Sequence, residues 1–470
     1  MLQQRGRSRT VSSKGHSAAV KIAPGPKGLP VLGSSLEMMR NPLRFVDRIR
    51  WQGDVVRFRA ATPSGTLIAH LLTRPEHAEY VLKDNVGNYR KSGVYDRAAL
   101  FVGNGLLTSS GKHWRRQRRI MQPAFGRRRI AGFAAKMASA TERMLERWAE
   151  PAERGAALDV AREMMRLTLT IVGETMLSTD FSAETDKVGR AVGYLLWYTG
   201  RRTTAIFSLP DSWPTPRNQR FRKELDVLEE LVYGLINDRR SSGHHGEDLL
   251  GMLIDARDED TGEAMSDRQL RDEVMTILIA GHETTANALA WTWFLLARHP
   301  EAAGRLRAEL DETLGGRTPT FADLSSLPYT KMVFQEALRL YPPVWMMARI
   351  ANEDDEIGGY RIPRGSRIAL SPYVIHRNPD LWERPEEFAP ERFDPARADD
   401  RPRYAYIPFS GGPRNCIGQH FATMEAQLVI ATVAQRYSLD LAPGQKVEPE
   451  PSITLRPRNG LPMLLREART

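Results

Sequence analysis

The longest coherent pattern of apolar positions opens at Ser266. Apolar residues recur at helical spacing from Leu270, fill every face through the middle of the run, and stop at Pro300. Ser266 and Gln269 stand at capping-box spacing, so the pattern predicts one helix of about 33 residues from Ser266 to His299, about 50 Å long. A helix apolar on all sides is a buried strut. Elsewhere a 3.6-residue period predicts helices over 41–51, 74–84, 111–121, 130–150, 160–177, 217–238, 329–341 and 425–436. Alternation predicts a hairpin from 55–58 and 67–72, with short strands at 361–362 and 367–370. These elements add up to a mainly α fold with small β-sheets in one large domain, not a parallel α/β sheet.

Composition narrows this picture without changing it. The 470 residues are 41% hydrophobic, enough for a large core, and no linker or internal repeat divides them. No apolar run reaches the roughly 18–20 residues of a membrane span. The nearest, Val274 to Ala297, is interrupted by Gly281-His282-Glu283-Thr284-Thr285-Ala286-Asn287, so no transmembrane anchor is expected. The net charge of +10 is spread over dispersed arginines, which reads as a solvated surface and not a nucleic-acid stripe. Its densest part is Trp114-Arg115-Arg116-Gln117-Arg118-Arg119, followed by Arg127-Arg128-Arg129. Residues 1–36 hold six Lys/Arg and no acid. They are read as a disordered basic tail over 1–23 ahead of a catalytic body over 24–470, opened by Pro24-Gly25-Pro26. The tail lacks the apolar core of a secretory signal, though an organellar transit peptide shares its composition. With one cysteine in the whole chain, a reducing, cytoplasmic setting is expected.

That cysteine, Cys416, carries the first chemical signal. It can be an inert buried filler, a nucleophile or a single soft metal ligand. Gly411, Gly412 and Pro413 prescribe a tight loop before it, Arg414 places positive charge nearby, and Gly418 lets a large flat group approach the backbone. A helix begins just after it, and a helix N-terminus favours a thiolate. Haem iron is the candidate metal. The second signal lies inside the central helix, where Ala280, Thr284 and Ala288 share one face and leave room for a ligand beside one hydroxyl. A threonine bonding back to the i−4 carbonyl is the plainer reading of that residue. Third, Glu336 and Arg339 face each other across a helical turn between apolar neighbours, and a buried pair needs further partners. Arg392 in Pro390-Glu391-Arg392-Phe393 can supply one.

Together these segments resemble the cytochrome P-450 family. Phe409 to Gly418 completes the pattern F-x-x-G-x-R-x-C-x-G of its haem-ligand loop. Ala280-Gly281-His282-Glu283-Thr284-Thr285 is similar to its oxygen-activation segment, and E-x-x-R with P-E-R-F to its Glu–Arg–Arg lock. The resemblance implies a single-domain, triangular-prism P-450 fold, with haem b between the central helix and the cysteine-loop helix. It makes Cys416 the axial ligand of the haem iron, with Phe409, Gly412 and Gly418 shaping the loop and Ala280 and Gly281 against the haem. Arg414 and Arg349 are implied as propionate partners, and W-x-x-x-R places Trp114 and Arg118 at the other propionate. Thr284 and Glu283 become the proton-relay pair, and Glu336, Arg339 and Arg392 the structural lock. His282 is expected to be structural.

The implied reaction is monooxygenation: dioxygen is activated with two externally supplied electrons, and a hydrophobic small molecule is hydroxylated or epoxidised. The electrons come ultimately from NAD(P)H through a separate reductase and a ferredoxin or flavodoxin, expected to dock on Arg115, Arg116, Arg119 and the loop near Arg414. A monomer is expected. Pocket walls are expected from 95–107, 197–207, 279–285 and 344–347, among them Ile279, Thr285, Val344, Trp345 and Met346. Their apolar character points to a terpenoid or fatty-acid-like natural product, and the motif wording resembles eukaryote-like bacterial members. Arg201 and Arg202 are either carboxylate anchors or surface cations. Two other classes stay open: a peroxygenase or non-redox haem-thiolate isomerase or dehydratase, which needs no electron donor, and a non-catalytic haem-binding sensor.

Overall fold

The computed structural model describes residues 21–62, 65–91, 93–181, 183–205, 209–243, 246, 248–258, 262–397 and 401–468. Its axis is the helix Asp267–Arg298, 32 residues long. Both bonds of the capping box are made: the Gln269 N–H donates to Ser266 Oγ at 3.3 Å, and the Ser266 N–H to Gln269 Oε1 at 3.0 Å. Two of the first-turn amides that helix geometry leaves unpaired are thereby satisfied. Helices Val160–Val172, Pro216–Ser241, Pro328–Leu340 and Gln419–Arg436 pack around this strut and share one continuous apolar core with it.

Two smaller cores lie under a five-stranded sheet. Its strands are β1 (Val55–Thr62), β2 (Gly65–Leu72), β3 (Tyr89–Lys91), β4 (Met347–Ala351) and β5 (Arg367–Leu370), in the order β1-β2-β5-β4-β3. The hairpin is antiparallel with Val55 opposite Leu72, and β2 meets β5 in parallel with Ala69 opposite Arg367. This register stitches the first quarter of the chain to the segment after the Glu336 helix. A three-stranded sheet joins Leu158–Asp159, Pro462–Glu467 and Tyr437–Leu441, and the C-terminal hairpin pairs Pro449–Pro451 with Leu455–Pro457.

Several expectations need correction. Pro300 ends the central helix but also opens another, Pro300–Leu314, because proline at the first helical position costs no hydrogen bond. Two further unpredicted helices are Gly93–Val102 and Thr185–Thr204. Of the expected tail, residues 1–20 lie outside the described residues. Lys21 already bridges Tyr360 in parallel and Ala23 is buried, so the body starts before Pro24. Among the described residues no helix is long and apolar enough to cross a membrane.

Candidate active site

The central helix is buried from Leu270 to Leu296 with three exceptions, Ala280, Gly281 and Thr284. Accessible surface in the middle of a core helix marks a space the protein does not fill with its own atoms. Gly281 is tightly packed on its other side: a Cβ there would stand 3.1 Å from Val172 Cγ2, so that side chain would have to give by a few tenths of an ångström. Ala280 and Thr284 form the open face. The Thr284 hydroxyl donates to the Ala280 carbonyl at 2.7 Å, the back-bonded arrangement, which leaves its oxygen lone pairs free to accept.

Neighbouring side chains diverge because each helical step turns about 100°. His282 is buried with both ring nitrogens unpartnered, and burial pulls it down to about 4, so it is neutral filler. Glu283 turns to the C-terminal hairpin, where its Oε1 accepts from the Thr454 hydroxyl at 2.8 Å. Burial pushes this carboxyl up, against the pull of Thr454 and Arg456. Thr285, expected in the pocket wall, is buried facing Glu425 of the helix Gln419–Arg436. Burial holds that carboxyl well above the usual range against the pull of Thr285, and neither Glu425 oxygen has a hydrogen-bond partner among the described residues.

The cysteine loop is held from three sides. The Cys416 N–H donates to the Phe409 carbonyl at 2.9 Å. Gly412, at φ 67°, passes so close to the Leu82 carbonyl that a Cβ would stand 1.9 Å from its oxygen. Arg118 donates to the Asn415 carbonyl at 2.9 Å and to Asn415 Oδ1 at 3.0 Å, so its fork braces the loop. The Cys416 sulfur has accessible surface, yet it sits deep among protein atoms. Burial pushes the thiol up, while the Gly418 N–H and Arg118 pull it down. Both features fit a sulfur facing an internal space.

Cations gather nearby. Arg414 stacks over Trp114, 4.2 Å from the ring centroid, and donates to the Ser109 carbonyl at 3.1 Å. Burial and Arg349 bring it down to about 10. Arg349 is buried on β4, and among the described residues its guanidinium donates to the Ala348 carbonyl alone, at 3.0 Å. Lys91, on β3 opposite Arg349, was not singled out from sequence. Burial, Arg414 and Arg349 pull it down to about 6, and it donates to the Leu106 and Leu107 carbonyls. Among the described residues, no carboxylate lies within ion-pair range of Arg349, Arg414 or Lys91. Buried cations without anions are costly. A flat dianion such as haem b, with its two carboxylates, fits this set. Gly418 adds to the fit: a Cβ there would meet only Phe125 and the Cys416 sulfur, at 3.9 and 4.0 Å, so the protein's own packing does not demand glycine.

The lock is made in full. Glu336 and Arg339, both with fully buried side chains, share two bonds of 2.7 and 2.8 Å. Arg339 also donates to the carbonyls of His376, Pro385 and Glu387, and the Ala389 N–H donates to Glu336. Arg392 Nε stands 3.3 Å from Glu336, close enough for an ion pair but poorly aligned for a hydrogen bond.

The remaining expected wall residues scatter. Ile279 is buried in the main core, and Val344 packs on the core under the five-stranded sheet. Met346 packs on the hairpin core with Phe45 and Phe58, while the Trp345 indole donates to the Ser452 carbonyl at 2.9 Å. Arg202 is held by Asp211 at 2.7 Å, so it is no free anchor, and Arg201 lies over Trp197. Residues 206 and 207 of the expected wall fall outside the described residues. On the basic face Arg115 and Arg119 are exposed, whereas Arg116 pairs with buried Asp258.

This architecture is that of a haem-dependent monooxygenase. The family model for cytochrome P450 matches residues 23–462, and the chain belongs to that family. It is 41% identical over 438 residues to the cyclooctatin synthase of Streptomyces melanosporofaciens, spanning 92% of this chain and 93% of that protein. Pentalenene oxygenase of Streptomyces avermitilis is 36% identical, over 92% of this chain and 94% of its own length. Among solved structures, the haem domain of cytochrome P450DA superposes with a TM-score of 0.86 at 28% identity, covering 96% of this chain and 98% of that one. The family implies haem iron, redox partners and a hydrophobic substrate.

Proposed function

We propose that the protein hydroxylates or epoxidises a terpenoid, with Cys416 holding the iron of haem b and Thr284 facing the oxygen side. The observation that carries this reading is the accessible notch at Ala280, Gly281 and Thr284 in an otherwise buried helix, where an apolar molecule can lie against small side chains. The choice of terpenoid over fatty acid is supported by two relatives named for terpenoids, cyclooctatin synthase and pentalenene oxygenase. Bound haem supplies the iron that takes up electrons and dioxygen and delivers one oxygen atom to the substrate.

The chain's residues do the rest. Arg414 and Arg349 hold the haem carboxylates, with Lys91 as a third donor that their negative charge would help to protonate, and Arg118 keeps the cysteine loop in place through Asn415. Cys416 presents its sulfur as thiolate once a metal cation offsets the burial that favours the thiol. Thr284 accepts and passes protons through its hydroxyl, and Glu283 is the buried acid that resupplies it. A spectral titration tests the substrate class. Polycyclic terpene hydrocarbons and alcohols should shift the haem from low to high spin, whereas fatty acids should not. A response to fatty acids alone would overturn the terpenoid reading.

Two further outcomes follow. Thr284→Ala should keep substrate binding but lower product formed per NADPH by about 10²-fold, the usual scale of general acid–base help; unchanged coupling would remove Thr284 from proton delivery. Exposed Arg115 and Arg119 form part of the docking face for a ferredoxin or flavodoxin. Changing both to glutamate should slow reduction by that donor most at low ionic strength, where surface charges are least screened. Stopped-flow reduction rates that match wild type at low salt would move the docking face elsewhere.

A further inference from the structure

Glu283 does not face Thr284. Its Oε1 accepts the hydroxyl proton of Thr454 at 2.8 Å, and Thr454 Oγ1 in turn accepts from Asn287 Nδ2 at 3.2 Å. All three side chains are buried: 5% of Glu283, 4% of Thr454 and 1% of Asn287 remains accessible. A threonine has one hydroxyl proton, and Thr454 spends it on this carboxyl. The acid next to the proposed oxygen-side threonine is therefore fastened to another element.

That element is the C-terminal hairpin, and its tip touches the segments expected to wall the substrate space. The Trp345 indole donates to the Ser452 carbonyl at 2.9 Å, and the Leu455 N–H donates to the Pro343 carbonyl at 2.9 Å. Gly200 of the helix Thr185–Thr204 comes so near that a Cβ there would stand 2.9 Å from Ser452 Oγ. At its base the hairpin is tied back to the central helix, where the Trp291 indole donates to the Leu455 carbonyl at 3.0 Å. Thr454 thus sits where the acid, the central helix and the segments expected to wall the substrate space meet.

We propose that Thr454 is a positioning residue for proton delivery: its hydroxyl holds Glu283 toward the hairpin, so that the state of the substrate walls sets when the acid can turn to Thr284. The inference rests on the reading of Glu283 as the acid that resupplies Thr284. Thr454→Val keeps shape and removes the donor. Glu283 then keeps no hydroxyl partner, its orientation is no longer tied to the walls, and protons reach oxygen out of step with substrate.

The test uses the haem-loaded enzyme with its electron donors and the terpene giving the largest spin shift. Each NADPH consumed is then accounted for as hydroxylated product with one water, as hydrogen peroxide, or, at two NADPH per dioxygen, as excess water, so product, peroxide and dioxygen uptake are measured together. Thr454→Val should raise the peroxide share roughly fivefold, the scale of losing one ordinary hydrogen bond, with an unchanged substrate dissociation constant. Thr454→Ser should restore wild-type coupling. In the infrared, the carboxyl band that disappears in Glu283→Gln should move to higher frequency in Thr454→Val, in the haem-free protein as well. Should the valine variant not fold, Asn287→Ala removes the bond that orients the Thr454 hydroxyl and should raise peroxide release in the same sense; no change there overturns the proposal. The two readings fail separately. If Glu283→Gln uncouples but Thr454→Val leaves both coupling and the band at wild type, Thr454 has no positioning role. If Glu283→Gln itself couples normally, the relay reading of Glu283 falls first.

Discussion

Glu336→Ala should cost about 3–5 kcal/mol of stability, the scale for removing one partner of a buried ion pair, and should yield little folded protein. The reason is the number of groups that Glu336 completes. Its carboxylate takes two bonds from Arg339 and one from the Ala389 N–H, and stands 3.3 Å from Arg392 Nε. Removing it leaves the Arg339 guanidinium buried against three carbonyls with no counter-charge. That guanidinium also lies 5.1 Å from the Trp382 ring centroid, so the strain would spread into the aromatic group of Trp382, Phe393 and Tyr406. Glu336→Gln keeps the shape and some acceptors and should lose less. Equilibrium denaturation of the two variants beside wild type checks this, and equal stability of all three would show that the lock contributes nothing.

Cys416→Ser should have the opposite signature: turnover lost, fold kept. The loop is held by the Cys416 main-chain N–H on Phe409, by Arg118 on Asn415 and by the fit of Gly412 against Leu82, none of which uses the sulfur. Serine is a hard, weakly acidic donor and cannot replace a thiolate on iron. Thermal unfolding within a few degrees of wild type with no product formed is the expected result. A Cys416→Ser protein that still oxidises substrate would exclude the sulfur as ligand.

What the sequence made legible, and what it hid, follows physical lines. The central helix was readable because its cap and its stop are local. The helix Thr185–Thr204 was not: its buried stripe of Val188, Val192, Leu195 and Thr199 is diluted by Gly189, Gly193 and Gly200, which lower helical propensity. Strand β4 was hidden by Arg349, a charged residue at an inward position of Met347–Ala351 that made the alternation look broken. In the site, the residues whose roles depend on loop chemistry, such as Cys416 and Gly412, stood out. Those defined by long-range partners did not. Lys91 reads as an ordinary surface lysine until its strand pairs with the one bearing Arg349, and Thr454 has no local mark at all. Helical phase explains why Thr285 was misplaced: one residue past Thr284 the side chain points to Glu425, away from the notch.

Cys416 as the thiolate ligand of haem iron, beside the notch on the central helix, is the centre of the proposed function. The direct measurement is the carbon monoxide difference spectrum of the reduced, haem-loaded protein. A Soret band at the long-wavelength position given by thiolate-bound iron, absent in Cys416→Ser, is the predicted result. A band at the shorter wavelength of histidine-bound or ligand-free haem in the wild-type protein, under conditions where it remains folded, would contradict it.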